Sequence, residues 1–174
     1  AMPEGRFEIE VTAKDTLTKT GKDELTFLFT ANLGEPIRPL LKVASGGELS
    51  RVALAIKTVL LNASGVPTMV FDEIDTGVGG VTAQKMAEKI AVIAKVGQVL
   101  CITHLPQIAS FADRHLLIRK ESTGGRTSTG LTVLDEEGRI QELMRMTVGD
   151  NVSEVAYANA KELLAAAAKN KQAR

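Results

Sequence analysis

The chain has 174 residues, 44% hydrophobic and 24% charged, the balance of a soluble globular domain rather than of a disordered or fibrous one. Lysine and arginine total 21 against 21 aspartate and glutamate, so net charge supplies no general attraction to nucleic acid or to an anionic membrane. A single cysteine excludes an internal disulfide and fits a reducing, cytoplasmic compartment, and no apolar run approaches the roughly 20 residues that cross a bilayer.

Ala1 ahead of Met2 reads as a cloning remnant, and the natural chain is expected to continue upstream. Arg6 to Ala13 alternates Phe7, Ile9 and Val11 with polar residues, and Glu24 to Ala31 repeats the pattern with Leu25, Phe27 and Phe29. This predicts a hairpin that turns around Gly21. After a loop with Gly34, Pro36 and Pro39, Ser45-Gly46-Gly47 opens a predicted helix whose apolar stripe is Leu49, Val52, Ala53, Ile56, Val59 and Leu60. Thr68 to Phe71 and Gln98 to Thr103 are short apolar runs on either side of an amphipathic segment, Thr82 to Lys95. That order predicts a β-α-β unit with parallel strands. A short helix near Pro106 to Phe111 precedes two strands, His115 to Glu121 and Thr127 to Leu134, read as an edge hairpin about Gly124-Gly125. Helices over Arg139 to Met146 and Ser153 to Ala168 complete one domain, 1–174, with fraying expected over 169–174.

Three places carry chemistry. The Thr68 to Phe71 strand runs directly into Asp72-Glu73, two carboxylates at the C-terminal edge of a parallel sheet, where such sheets bind ligands. Paired carboxylates there suit magnesium-dependent phosphoryl transfer, with Asp72 holding the metal through water and Glu73 orienting and deprotonating the attacking water. Ser45, Gly46 and Gly47 at a helix start offer amide groups and the positive end of the helix dipole to an anion. His104 ends the neighbouring strand, 31 residues after Glu73, and parallel pairing sets it beside the carboxylates, within reach of a γ-phosphate. Taken singly, the first two elements are equally a solvated loop and a capped helix, and a lone strand-end histidine is more often structural. His115 has no such company and is assigned no role. Lys161, Lys169, Lys171 and Arg174 are read as a solvated face in preference to a phosphate contact.

Signature loop and helix, carboxylate-ended strand and strand-end histidine follow one another in the order of the ABC-type ATPases. Within that superfamily the runs Leu41 to Arg51, Val70 to Gly80 and Cys101 to Ala109 resemble the RecN family of bacterial DNA-repair ATPases, relatives of the SMC proteins. The resemblance covers about Met2 to Leu164. It implies an α/β fold, the C-terminal lobe of an ABC-type head, with a mostly parallel sheet, flanking helices and antiparallel edge hairpins. It further implies ATP and Mg²⁺ as cofactors, with Asp72 as the metal ligand and Glu73 and His104 as the catalytic pair for ATP in their own head. Ser45, Gly46, Gly47 and Glu48 would contact ATP held by a second head. Asp75, Thr76 and Gly77 fall in the D-loop, where Gly79 stands at the position of the usual aspartate. Asp75, Thr76 or a glycine-loop amide would take over its contact.

The implied partners are the N-terminal half of the same head, a second head in an ATP-dependent homodimer, and DNA, with no membrane and a nucleoid-associated location. A phosphate-cradling loop, G-x-x-x-x-G-K followed by Ser or Thr, is missing. The sole Gly-Lys pair is Gly21-Lys22, with Thr16 in place of the first glycine and Asp23 in place of the hydroxyl. The chain alone is therefore expected neither to bind ATP tightly nor to hydrolyse it. The competing readings are a fragment of a transporter ATPase subunit and a non-catalytic docking module. The hairpin ahead of the signature, in place of a helical subdomain, argues against the first, and the retained Asp72, Glu73 and His104 against the second.

Overall fold

The computed structural model describes residues 4–32, 34–43, 46–60, 66–72, 74–123, 126–151 and 153–173. In chain order the elements are β1 Arg6–Thr18, β2 Gly21–Thr30, β3 Arg38–Pro39, α1 Leu40–Val43, α2 Gly46–Val59, β4 Thr68–Phe71, α3 Gly80–Ile93 and β5 Gln98–Cys101. They are followed by α4 Pro106–Ala109, β6 Leu116–Thr123, β7 Arg126–Val133, α5 Glu136–Val148 and α6 Glu154–Gln172.

The β-α-β unit forms as the apolar pattern requires. β4 and β5 are parallel, Thr68 opposite Gln98 and Phe71 opposite Cys101. Period-2 alternation sends Met69 and Phe71 to one face, where Met86, Ile90 and Ile93 of α3 bury them together with Leu54, Ile74, Ile108 and Phe111. Val70 and Leu100 lie on the other face, which is open to solvent along with Ile102.

Parallel pairing is confined to these two strands among the described residues; the remaining pairs are antiparallel. The N-terminal hairpin is longer than its alternation predicts. β1 runs on to Thr18 through an irregular register after Ala13, a stretch whose polar residues give no period-2 signal. Gly21 makes the turn at φ 103°, a conformation that costs glycine little. Only the hairpin's root is buried, where Phe29 packs with Leu40 and Val52.

Asp135 caps α5, accepting from the Gly138 amide at 2.8 Å, and Ser153 caps α6, accepting from Ala156 at 3.1 Å. Ile140, Leu143 and Met144 pack against Ala156 and Ala160, whose small side chains let the two helices approach closely. α6 continues past Lys169 to Gln172. Its last turn is tied down by Asn170, donating to Glu88 at 3.1 Å, and by Lys171, donating to the Phe111 carbonyl at 3.2 Å and to Asp113.

Candidate nucleotide-binding site

The parallel ladder is extended at both ends by Gln98 N donating to Pro67 O at 2.8 Å and Ile102 N donating to Phe71 O at 2.9 Å. Asp72 therefore leaves β4 level with Ile102, and the Thr103-His104 pair leaves the same edge of the sheet. The Asp72 carboxylate is exposed. Glu73 lies outside the described residues, as do Ala44 and Ser45 at the entry to α2.

Immediately after Glu73 the chain turns inward. Ile74 is completely buried in the core beneath β4, and this anchor carries Asp75 in with it, to 2% exposure. One oxygen of Asp75, Oδ2, accepts from Thr103 Oγ1 at 2.6 Å and from the His104 amide at 2.9 Å, and lies 3.1 Å from His104 Nδ1. Thr103 in turn accepts from the Leu105 amide at 3.1 Å, joining the histidine to the start of α4. The His104 side chain is 70% exposed, so its ring is held along one edge and open along the other. The carboxylates of Asp75 and Asp72 also act on Cys101 beneath them. Burial first, then these two charges, push its thiol up to about 11, which leaves it a neutral packing group.

The first turn of α2 abuts the same turn from the other side. Arg51 donates to the Thr76 carbonyl at 3.1 Å. Gly47 lies so near that a Cβ placed on it would stand 2.8 Å from that oxygen and 3.0 Å from the Arg51 guanidinium, an approach only glycine allows. Gly46 is exposed, and Glu48 is half-buried. Thr76, Gly77 and Gly79 are exposed, with Gly77 at φ 72°.

The segment from Ile74 to Gly77 thus touches signature helix and histidine alike. The sequence reading located this segment without revealing that Asp75 faces inward to His104, because its donors come from 28 and 29 residues later. A carboxylate directly after a large apolar residue, matched by a hydroxyl beside the histidine, was the available signal. His115 sits elsewhere. Its imidazole is held below its ordinary range by burial and then by Arg139, and its Nδ1 is buried without a hydrogen-bond partner among the described residues.

No protein-family model matches the chain. Among curated proteins it is similar to the DNA repair protein RecN of Halalkalibacterium halodurans, 47% identical over 161 residues that make up 92% of this chain and 28% of that protein. The RecN of Treponema pallidum is 46% identical over 177 residues, 98% of this chain and 31% of its own length. That of Bacillus subtilis is 50% identical over 148 residues, 85% of this chain and 26% of its own. The chain spans less than a third of the length of each of these relatives.

Among solved structures, the Smc head domain with a coiled coil and joint from Pyrococcus yayanosii superposes with a TM-score of 0.60 at 20% identity, covering 84% of this chain and 26% of that one. An SMC ATPase described in connection with ATP-driven dimerization and DNA-stimulated activation gives 0.52 at 21% identity, covering 83% of both chains. At such identities the likeness concerns the fold, that of an ABC-type head. The chain thus matches the C-terminal part of RecN proteins along most of its own length and shares the fold of an SMC ATPase head.

Proposed function

We propose that these residues form the C-terminal lobe of a magnesium-dependent, ATP-hydrolysing head that serves DNA double-strand-break repair. The observation that carries the reading is the common edge reached by Asp72 and His104, with the Gly47 turn of α2 fastened to the segment between them. The exposed Asp72 would hold Mg²⁺ through water. Among the described residues no three His, Cys, Asp or Glu side chains gather into a metal cage, and Mg²⁺ beside phosphates is usually bound by one or two carboxylates with several waters. The bound cation would neutralise charge on the phosphates. Glu73, next in the chain, would orient the attacking water and take its proton, while the open edge of the His104 ring would face the γ-phosphate. Ser45, Gly46, Gly47 and Glu48 at the start of α2 would serve ATP on a second head, using amide groups and the helix dipole.

The phosphate-cradling loop would come from an N-terminal lobe, for which Val70, Leu100 and Ile102 offer an apolar seat. DNA would be a partner of the assembled protein in the bacterial cytoplasm, at the nucleoid. The test is Glu73→Gln in a full-length protein carrying this sequence. Turnover should fall roughly 10²- to 10⁴-fold, the usual contribution of a positioned general base. Nucleotide binding should survive, so light scattering should show a dimer that accumulates with ATP and magnesium. Asp72→Asn should lose magnesium-dependent binding as well. Parent-rate hydrolysis by Glu73→Gln would remove Glu73 from the mechanism.

A further inference from the structure

The Asp75 carboxylate is almost completely enclosed, yet among the described residues no cation of Lys or Arg compensates it; it is met by a hydroxyl, a main-chain amide and an imidazole nitrogen. A buried carboxylate is costly unless its oxygens are hydrogen-bonded, and here one oxygen gathers donors from two successive residues of a single strand end. Thr103 and the His104 amide fix the main chain, and Nδ1 fixes the ring.

We propose that Asp75 is the positioning residue of His104: it holds the imidazole as the Nδ1–H tautomer and turns Nε2 out of the sheet edge toward bound nucleotide. The role follows from valence. A carboxylate oxygen only accepts, so the nitrogen facing it must carry a proton. With Nδ1–H committed inward, Nε2 is the nitrogen left to solvent, consistent with the exposure of the side chain. The link to nucleotide rests on the function proposed above; the tautomer does not, since it is a property of the chain without ligand.

The chain's two histidines make the test direct. Long-range proton–nitrogen correlation spectra of the ¹⁵N-labelled chain, recorded where both imidazoles are neutral, distinguish the protonated from the bare nitrogen in each ring. His104 should be predominantly Nδ1–H in the parent. Asp75→Ala should reverse its tautomer ratio while the His115 signals stay in place, reporting that the fold survives. Thr103→Val, which removes a different donor to the same oxygen, should leave the His104 tautomer unchanged. A parent spectrum with His104 as Nε2–H overturns the proposal without any variant, as does an Asp75→Ala spectrum identical to the parent. In the full-length protein, Asp75→Ala should lower kcat at least tenfold with KM for ATP within about twofold, since the lost group orients the ring without touching nucleotide. Correct tautomers together with a full-length protein that never hydrolyses ATP would refute the ATPase reading and leave the positioning of His104 standing.

Discussion

Gly47 shows how one missing side chain lets two functional segments touch. An added methyl would meet the Thr76 carbonyl, a main-chain atom that cannot swing aside as a side-chain terminus can. Gly47→Ala should therefore lower stability by about 1–3 kcal/mol, the usual cost of forcing extra volume into a packed site. Gly46→Ala, which meets nothing within 4 Å among the described residues, should be close to neutral, and urea denaturation of the two variants reads the contrast. His115 governs a pH response. Burial and then Arg139 lower its folded pKa, so on acidification the unfolded chain takes up the proton first. Its effect on stability is nil above the ordinary imidazole value of about 6.5, and stability declines as pH falls from there toward the lower folded value. His115→Gln should flatten the denaturation midpoint over roughly pH 7 to 5. If the slope persists unchanged, other groups carry it.

At the scale of elements, the parts that were legible in the sequence are those whose signal is local. The Thr68 to Phe71 run, the amphipathic segment after it and the Gln98 run specify β4, α3 and β5 through local apolar runs and helical periodicity, and the register of the two strands brings Asp72 and His104 to one edge. What escaped is held by distant partners. Nothing near Lys171 announces that α6 will continue past Lys169, because its acceptors at Phe111 and Asp113 lie about 60 residues away along the chain. The extension of β1 past Ala13 is similar: the backbone pairs although the side chains no longer alternate. Ser153 satisfies the Ala156 amide at the start of α6, so Ser153→Ala should cost about 1 kcal/mol. The loss should appear as a lower denaturation midpoint with an unchanged m-value.

For the whole molecule, the distribution of apolar surface matters more than its amount. One face of the β4–β5 sheet is packed by α3, while Val70, Leu100 and Ile102 remain exposed on the other. A contiguous apolar face of this kind favours association, so the isolated chain should self-associate at high concentration, more strongly in sulfate. Leu100→Lys should shift sedimentation profiles toward the monomer and change folding stability by no more than about 0.5 kcal/mol, as is usual for exposed positions. A monodisperse parent at high concentration would contradict this. The hairpin of β1 and β2 has a different consequence. It is rooted in the core at Phe29 and Thr30, and beyond the stacked Phe7 and Phe27 its apolar side chains face water. Mechanically it is a cantilever, and the free energy of local opening should diminish from the root toward Gly21. Its tip can bend or unzip without disturbing the sheet edge that carries Asp72 and His104, because the two share no ladder.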